Sequence, residues 1–260
     1  MAFFAYRSFT NGLSIGILPS SSRRYILPPS LFIFCGFTFL FPLSPIEKYI
    51  WLLSSKIILL AKGDYNAIIN SHDYIIDYIN NYECKIIFIS SSSVFDGYKN
   101  YPNYEFDKTF SKSNFGYLKI KIENKLLKLD ENKYTIIRVP FLVGMNSLHI
   151  KKIKNEVKLD IPIEVFPNLI INIINIKKIT LFIHHIINKK INGIIHLGSK
   201  DLIHHVDLIK EILKALKIDS YRLKYVYTTN DNRYIALFNK NKKLPKYLDF
   251  KANSIINTIK

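Results

Sequence analysis

The stretch from Lys85 to Gly144 constrains the fold of this chain more than any other. It reads KIIFISSSSVFDG, a tyrosine-rich loop, SNFGYLKIKIENKLL and then YTIIRVPFLVG. The first run is apolar with few charges, as suits a central parallel strand covered on both faces. The third carries Leu118, Ile122, Leu126 and Leu129 along one side of a helix. The last, TIIRVP, reads as a second buried strand. Strand, loop, helix and strand in that order form a crossover unit, which needs a parallel sheet with helices packed on it. Ser90, Ser91, Ser92 and Ser93 fall at the carboxyl end of the first strand, the edge at which open α/β sheets bind ligands. Serines also cap turns and helices with no ligand present.

The flanking segments repeat the alternation. From Ser44 to Tyr78 the sequence predicts helix. SPIEKYIWLL offers Ser44 as N-cap, Pro45 at the first helical position and Glu47 as the third residue after the cap. DYNAIINSHDYIIDYINN places Ala67, Ile68, Tyr74, Ile75 and Tyr78 at helical spacing and ends at Asn80-Asn81. After Gly144 come a peripheral helix and short strand, then LIINIINIKKITLFIHHIIN as a strand entering a helix. INGIIHLGS follows as a turn at Gly193 and a strand. DLIHHVDLIKEILKALKI is amphipathic, with Leu202, Val206, Ile209, Ile212, Leu213 and Leu216 on one face. The fold class is therefore α/β with a mainly parallel sheet.

The N-terminus fits that scheme less well. MAFFAYRSF reads as a strand, and Gly12 and Gly16 follow it where a dinucleotide loop would need glycines. The spacing is GxxxG with no third glycine, and Pro19 interrupts the expected helix. LFIFCGFTFLFPL, from Leu31, reads as a buried strand running into a turn. Only about 30 residues precede it, enough for one βαβ unit and half of what a mononucleotide-binding half requires. The first half of such a fold is shortened, rearranged or absent. Arg23-Arg24 could meet a ribose 2′-phosphate or be solvated loop arginines.

Charge and cysteine usage narrow the partners. The net charge is +17, but the lysines are dispersed and Ile, Lys, Asn and Tyr recur throughout, so biased composition accounts for it before any polyanion does. Nucleic acid and membrane surfaces are the less favoured partners. Leu31 to Leu43 is too short to span a bilayer, and YIWLLSSKIILLAK is broken by Lys56. Arg7 interrupts the first apolar residues without a cleavage site beyond, and Cys35 and Cys84 lack a CxxC spacing. Both point to a cytoplasmic chain with buried free thiols. The His184-His185 and His204-His205 pairs are adjacent rather than four apart, so no metal site is expected.

Several of these blocks resemble the extended short-chain dehydrogenases, the nucleotide-sugar epimerases, dehydratases and reductases, and most of all the dTDP-4-dehydrorhamnose reductase type. The family's ISTDYVFDG block corresponds to Ile89-Ser90-Ser91-Ser92-Ser93-Val94-Phe95-Asp96-Gly97. Its YGxSKxxxE helix corresponds to Phe115-Gly116-Tyr117-Leu118-Lys119 with Glu123 beyond, and its LRxxxVYG strand to Ile137 through Gly144. INGIIHLGS resembles the GIYHLAG strand, NKNKKLPKYL the closing D-x-x-K-L segment, and Cys35-Gly36-Phe37-Thr38 the NxAxxT strand end. The resemblance runs from about residue 65 to 250.

What the resemblance implies is hydride transfer between NAD or NADP and a carbon of a nucleotide sugar. A tyrosine serves as acid or base, a lysine four residues on lowers its pKa, and a hydroxyl orients the substrate oxygen. Carried over, Ser91 is the hydroxyl and Lys119 the lysine, but the tyrosine's position is Phe115. Tyr117 with Lys121 supplies a second YxxxK in another register. The remaining assignments are Gly12, Gly16, Ser90, Lys119 and Pro140 to the cofactor, and Ser92, Ser93, Phe95 and Arg138 to the substrate. The implied fold is a Rossmann-like parallel sheet with a shortened or rearranged N-terminal half and a small C-terminal substrate lobe. Residues 1–144 would form the core, with 1–64 its degenerate dinucleotide part, and 145–260 the lobe with a late core strand and helix. Three readings stay open: a working reductase or epimerase, which could be a homodimer; a relative that binds a nucleotide sugar or a partner chain without turnover; and a basic protein that binds nucleic acid or a membrane surface.

Overall fold

The computed structural model describes residues 48–52, 65–82, 84–97, 100–228, 230–240 and 244–259. Gly12, Gly16, Arg23-Arg24, the Leu31 strand and the Cys35 to Thr38 block lie outside the described residues. The chain order begins β1 Lys48–Leu52, α1 Tyr65–Asn81, β2 Cys84–Ser91, α2 Asn114–Leu126, β3 Tyr134–Val139 and β4 Phe141–Leu142. It continues with α3 Leu148–Lys158, β5 Ile163–Val165, β6 Leu169–Ile171, β7 Ile173–Ile174, α4 Ile176–Asn188, β8 Gly193–His196 and β9 Ile203–His204. It closes with α5 His205–Ala215, β10 Leu223–Tyr225, β11 Arg233–Ile235 and α6 Ala252–Ile256.

The main sheet has the order β1-β2-β3-β8, and every pair in it is parallel. β1 corrects the helix expected over SPIEKYIWLL. Residues Lys48 to Leu52 pair in register with Cys84 to Phe88. Tyr49, Ile50 and Trp51 are strand formers, and an open edge on β2 outweighs a local capping pattern. The expected helix from Asp64 to Asn81, the strand at Lys85 and the helix at Asn114 form as read. Among the described strands the order never reverses.

β2 alternates between two cores, which is why its sequence is apolar on both sides. Ile86 and Phe88 pack with Ile68, Ile75 and Ile79 of α1 and Leu118, Ile122 and Leu126 of α2. Ile87 faces the other way, with Ile137, Ile195 and residues of α4, α5 and α6 such as Phe182, Ile209 and Ile255. Gly193 opens β8 at φ +83°, where a side chain would be strained. Outside the main sheet, β5 pairs with β10, β6 with both β9 and β11, and β4 with β7. Leu202, expected on the face of α5, instead precedes β9; the helix starts at His205 and buries Val206, Leu208, Ile209, Ile212 and Leu213.

Candidate functional site

The serine row ends β2 and turns at once into a 3-10 helix, Ser92–Phe95. Ser91 caps that turn, its hydroxyl accepting from the Ser93 amide at 3.2 Å. A second cap, Ser113, accepts from the Gly116 amide at 3.1 Å and starts α2. The two caps bring the turn and the helix together at Gly116. A Cβ there would lie 2.3 Å from the Ser93 carbonyl oxygen and 2.1 Å from the Ser111 hydroxyl. Glycine in the helix's first turn is thus a packing requirement, costing about 1 kcal/mol in helix propensity.

One turn along α2, Lys119 is buried, and its Nζ donates to the carbonyl of Ile89 at 2.8 Å. The amine lies 4.8 Å from the centre of the Phe88 ring and 5.5 Å from that of Phe115. Burial lowers its pKa to about 7, against the partly compensating charge of Glu123. Tyr117 is not brought to this place. It is 54% exposed, and Lys121 sits over its ring at 4.8 Å. Two residues along a helix turn a side chain about 200°, so the second YxxxK register points away from Lys119.

Glu123, four residues beyond Lys119, is held by Arg138 of β3. Arg138 Nη2 donates to Glu123 Oε2 at 2.7 Å and Nε to Oε1 at 3.1 Å, both residues being almost wholly buried. Arg138 Nη1 donates to the Glu105 carbonyl at 3.0 Å and to His196 Nε2 at 3.2 Å. An arginine has only donors, so His196 must accept at Nε2 and donate from Nδ1 to the Phe238 carbonyl at 3.1 Å. That is the neutral tautomer. The Arg138 guanidinium also lies 5.0 Å from the centre of the Phe95 ring. Phe95 and Arg138, expected at the substrate, are thus inside the protein, 1% and 2% exposed.

The other expected residues divide. Ser90 and Ser93 each carry a buried hydroxyl with no protein partner, so both could serve a ligand at the sheet's carboxyl edge. Ser92 is buried, and Pro140 is buried against Gly198, 3.2 Å from where its Cβ would be. Glu105 and His196 were not singled out from sequence. Glu105 is buried, its Oε2 accepting from the Lys240 amide at 3.0 Å while Oε1 has no protein partner. The only signal for either was a lone polar residue inside an otherwise apolar or aromatic run. A shallow groove of about 820 Å³, lined by Asn132, His185, Lys189 and Asn192 among others, lies at the opposite, amino edge of the sheet.

The sequence model of the RmlD substrate binding domain matches residues 62–237. The chain belongs to this family. The RmlD match takes in the serine row, Lys119, Glu123, Arg138 and His196 together. Among solved structures, the dTDP-4-dehydrorhamnose reductase of Yersinia enterocolitica is similar at 19% identity and TM-score 0.63, over 81% of this chain and 80% of that one. The dTDP-4-dehydrorhamnose reductase of Clostridium acetobutylicum is similar at 20% identity and TM-score 0.60, over 76% and 74%. The UDP-glucuronic acid 4-epimerase of Bacillus cereus, in complex with NAD, is similar at 16% identity and TM-score 0.60, over 75% and 68%. These likenesses show the Rossmann-like α/β fold. Among curated proteins, none matches the sequence.

Three buried histidines give this fold a defined acid response. Burial lowers His72 and His205 to about 4 and, with the Arg138 charge beside it, His196 to about 3. Unfolded, each takes up its proton near pH 6.5. Their stabilising contribution is therefore whole above pH 6.5 and lost as pH falls toward 4, at about 1.4 kcal/mol per pH unit for each histidine. Urea unfolding midpoints should drop steeply between pH 6.5 and 4, and His196→Phe should flatten the slope.

Proposed function

We propose that this chain is a nucleotide-sugar-binding protein of the reductase and epimerase type, suited to a nicotinamide cofactor, whose hydride transfer is weakened by loss of the phenol. The observation that carries the reading is the pairing of Lys119 with Phe115. The helix position, the lysine and the hydroxyl-rich strand end are all kept, while the group beside the lysine has no titratable proton. The family relation supports the ligand class, and the NAD complex of the Bacillus cereus epimerase supports the cofactor class.

The residues present fit such ligands on chemical grounds. The unpartnered hydroxyls of Ser90 and Ser93 lie at the sheet edge beside the Lys119 helix, and a ribose or sugar hydroxyl would satisfy them. Lys119 would hold the nicotinamide ribose, and Ser91, at the turn, would orient the sugar oxygen. The cofactor would supply or take up the hydride; the chain's part is to bind, orient and exclude water.

Titration with NADH and NADPH, followed by cofactor fluorescence, tests the reading. Binding of one of them, with slow oxidation in the presence of a dTDP- or UDP-4-keto sugar, is the expected result. No fluorescence change at saturating cofactor would sink it. Binding with no oxidation at all would leave a binding protein, the second reading, which the loss of the phenol also favours.

A further inference from the structure

Outside the Lys119 site, two histidines meet over one phenylalanine ring. His149 of α3 stacks on Phe141 of β4, with ring centres 3.9 Å apart and planes 28° from parallel. His205, the first residue of α5, lies edge-on to the same ring at 6.1 Å and to Phe166 at 5.3 Å. The place is close to the serine row. Val139 pairs with Ser91 across the main sheet, and Phe141 follows two residues later, at most about 7 Å of chain. His72 Nε2 and Glu105 Oε1 also lack a protein partner, but both atoms are sealed inside the protein. His149 is exposed, and neither of its ring nitrogens is hydrogen-bonded to a described residue. His205 is buried, and its Nδ1 accepts from the Phe166 amide at 3.3 Å. That bond leaves the ring proton on Nε2, which meets no acceptor among the described residues.

We propose that His149 and His205, with Lys152 one turn along α3, hold the diphosphate of a sugar nucleotide whose sugar end lies at the serine row. The inference rests on the reading above that the chain binds such a ligand. His205 donates from Nε2. His149 gives a second N–H from the open side of its stack on Phe141. Lys152, three residues after His149, lies on the same helix face and adds positive charge; it is largely exposed, 3.5 Å from Glu156. The first amides of both helices have no acceptor within the helix and carry the positive end of its dipole. Ser147 caps α3 at the Ile150 amide, and His204 gives α5 no side-chain cap.

The two rings differ in their protons. Burial holds His205 at about 4, and the Phe166 N–H occupies the side on which a second proton would sit, so His205 stays a neutral donor. His149 is lowered by its burial on Phe141 and by the Lys152 charge. An anion beside it favours the imidazolium, so a bound diphosphate draws a proton onto His149. Lys152 is the charge that acts on both rings. Glu156 of α3 and Glu164 of β5 are paired with Lys152 and Lys224. Asp207 lies in the first turn of α5, and His204 is bonded to the Pro167 carbonyl at 3.1 Å.

Calorimetry and imidazole signals of the full chain test the assignment. With isotope-labelled histidine, dTDP-glucose or UDP-glucose should shift the ring signals of His149 and His205. Inorganic pyrophosphate should move them too; thymidine and uridine should not. His149→Ala, at an exposed position, should weaken sugar nucleotide binding roughly tenfold, the effect of one hydrogen bond to a charged group, and leave NADH and NADPH binding unchanged. Parent affinity should rise several-fold from about pH 7.5 to about pH 5.5, across the usual histidine range. His149→Gln, which keeps a donor but takes up no proton, should lose that rise. A sugar nucleotide that binds without moving either ring, or that binds His149→Ala as tightly as the parent, overturns the diphosphate assignment. A chain that binds no sugar nucleotide overturns the functional reading and this assignment with it.

Discussion

Arg138→Met should unfold well below the parent protein, by roughly 6–20 °C in Tm, the shift for about 3–5 kcal/mol in a chain of this size. The arginine gives up four bonds at once: two nitrogens to Glu123, one contact to the Glu105 carbonyl and one to His196. Methionine fills part of the volume but leaves the Glu123 carboxylate, 1% exposed, without its cation. An unpaired buried charge costs more than the pair contributes. The double variant Arg138→Met, Glu123→Leu should therefore recover much of the loss, because no charge is then stranded. Calorimetry of both variants checks this. A single variant within about 1 kcal/mol of the parent would show that water reaches Glu123 and that the network is not closed. A double variant no better than the single would assign the loss to packing around Phe95 rather than to charge.

The network also shows what sequence could and could not disclose. The crossover unit was legible because its strands are apolar on both faces and its helix has a single apolar side. Ile86 and Ile87 face separate cores, and Leu118, Ile122 and Leu126 share one. The strand at Lys48 was misread because SPIEKYIWLL carries a local cap pattern, and only the open edge of β2 makes it a strand. Ser91 at the end of its strand and Lys119 on its helix could be placed by pattern, since each position is fixed within its own element. Arg138 and Phe95 were legible as residues of interest but not as a buried stack. Their partners come from Glu105, Glu123 and His196, and residue 105 lies far from residue 196 in sequence. Periodicity reports which way one element faces; it carries no information about which distant polar group waits on the other side. The exclusion of Tyr117 was legible in part, because the helical turn of about 100° per residue already sets it apart from residue 115.

Phe115→Tyr should raise 4-keto sugar reduction by at least about 100-fold, the lower end of what a positioned acid contributes, equal to about 2.7 kcal/mol of barrier. The ring already sits where its centre is 5.5 Å from Lys119 Nζ, so a hydroxyl added to it enters the amine's Coulombic range. A phenol near pKa 10 is a weak base at neutral pH, and an adjacent ammonium favours its ionised form. The effect is reciprocal: a phenolate beside Lys119 raises the amine from its depressed value near 7, and the lysine stays charged. The Lys119 titration should thus move upward in the variant, from about 7 in the parent, since the pair now shares the charge. Phe115 is only half-buried at the start of α2, so one added oxygen need not disturb the core. A variant that binds cofactor and sugar nucleotide as the parent does, yet gains no rate, would place the reacting carbon out of reach of this helix. The family's fold would then serve binding alone in this chain.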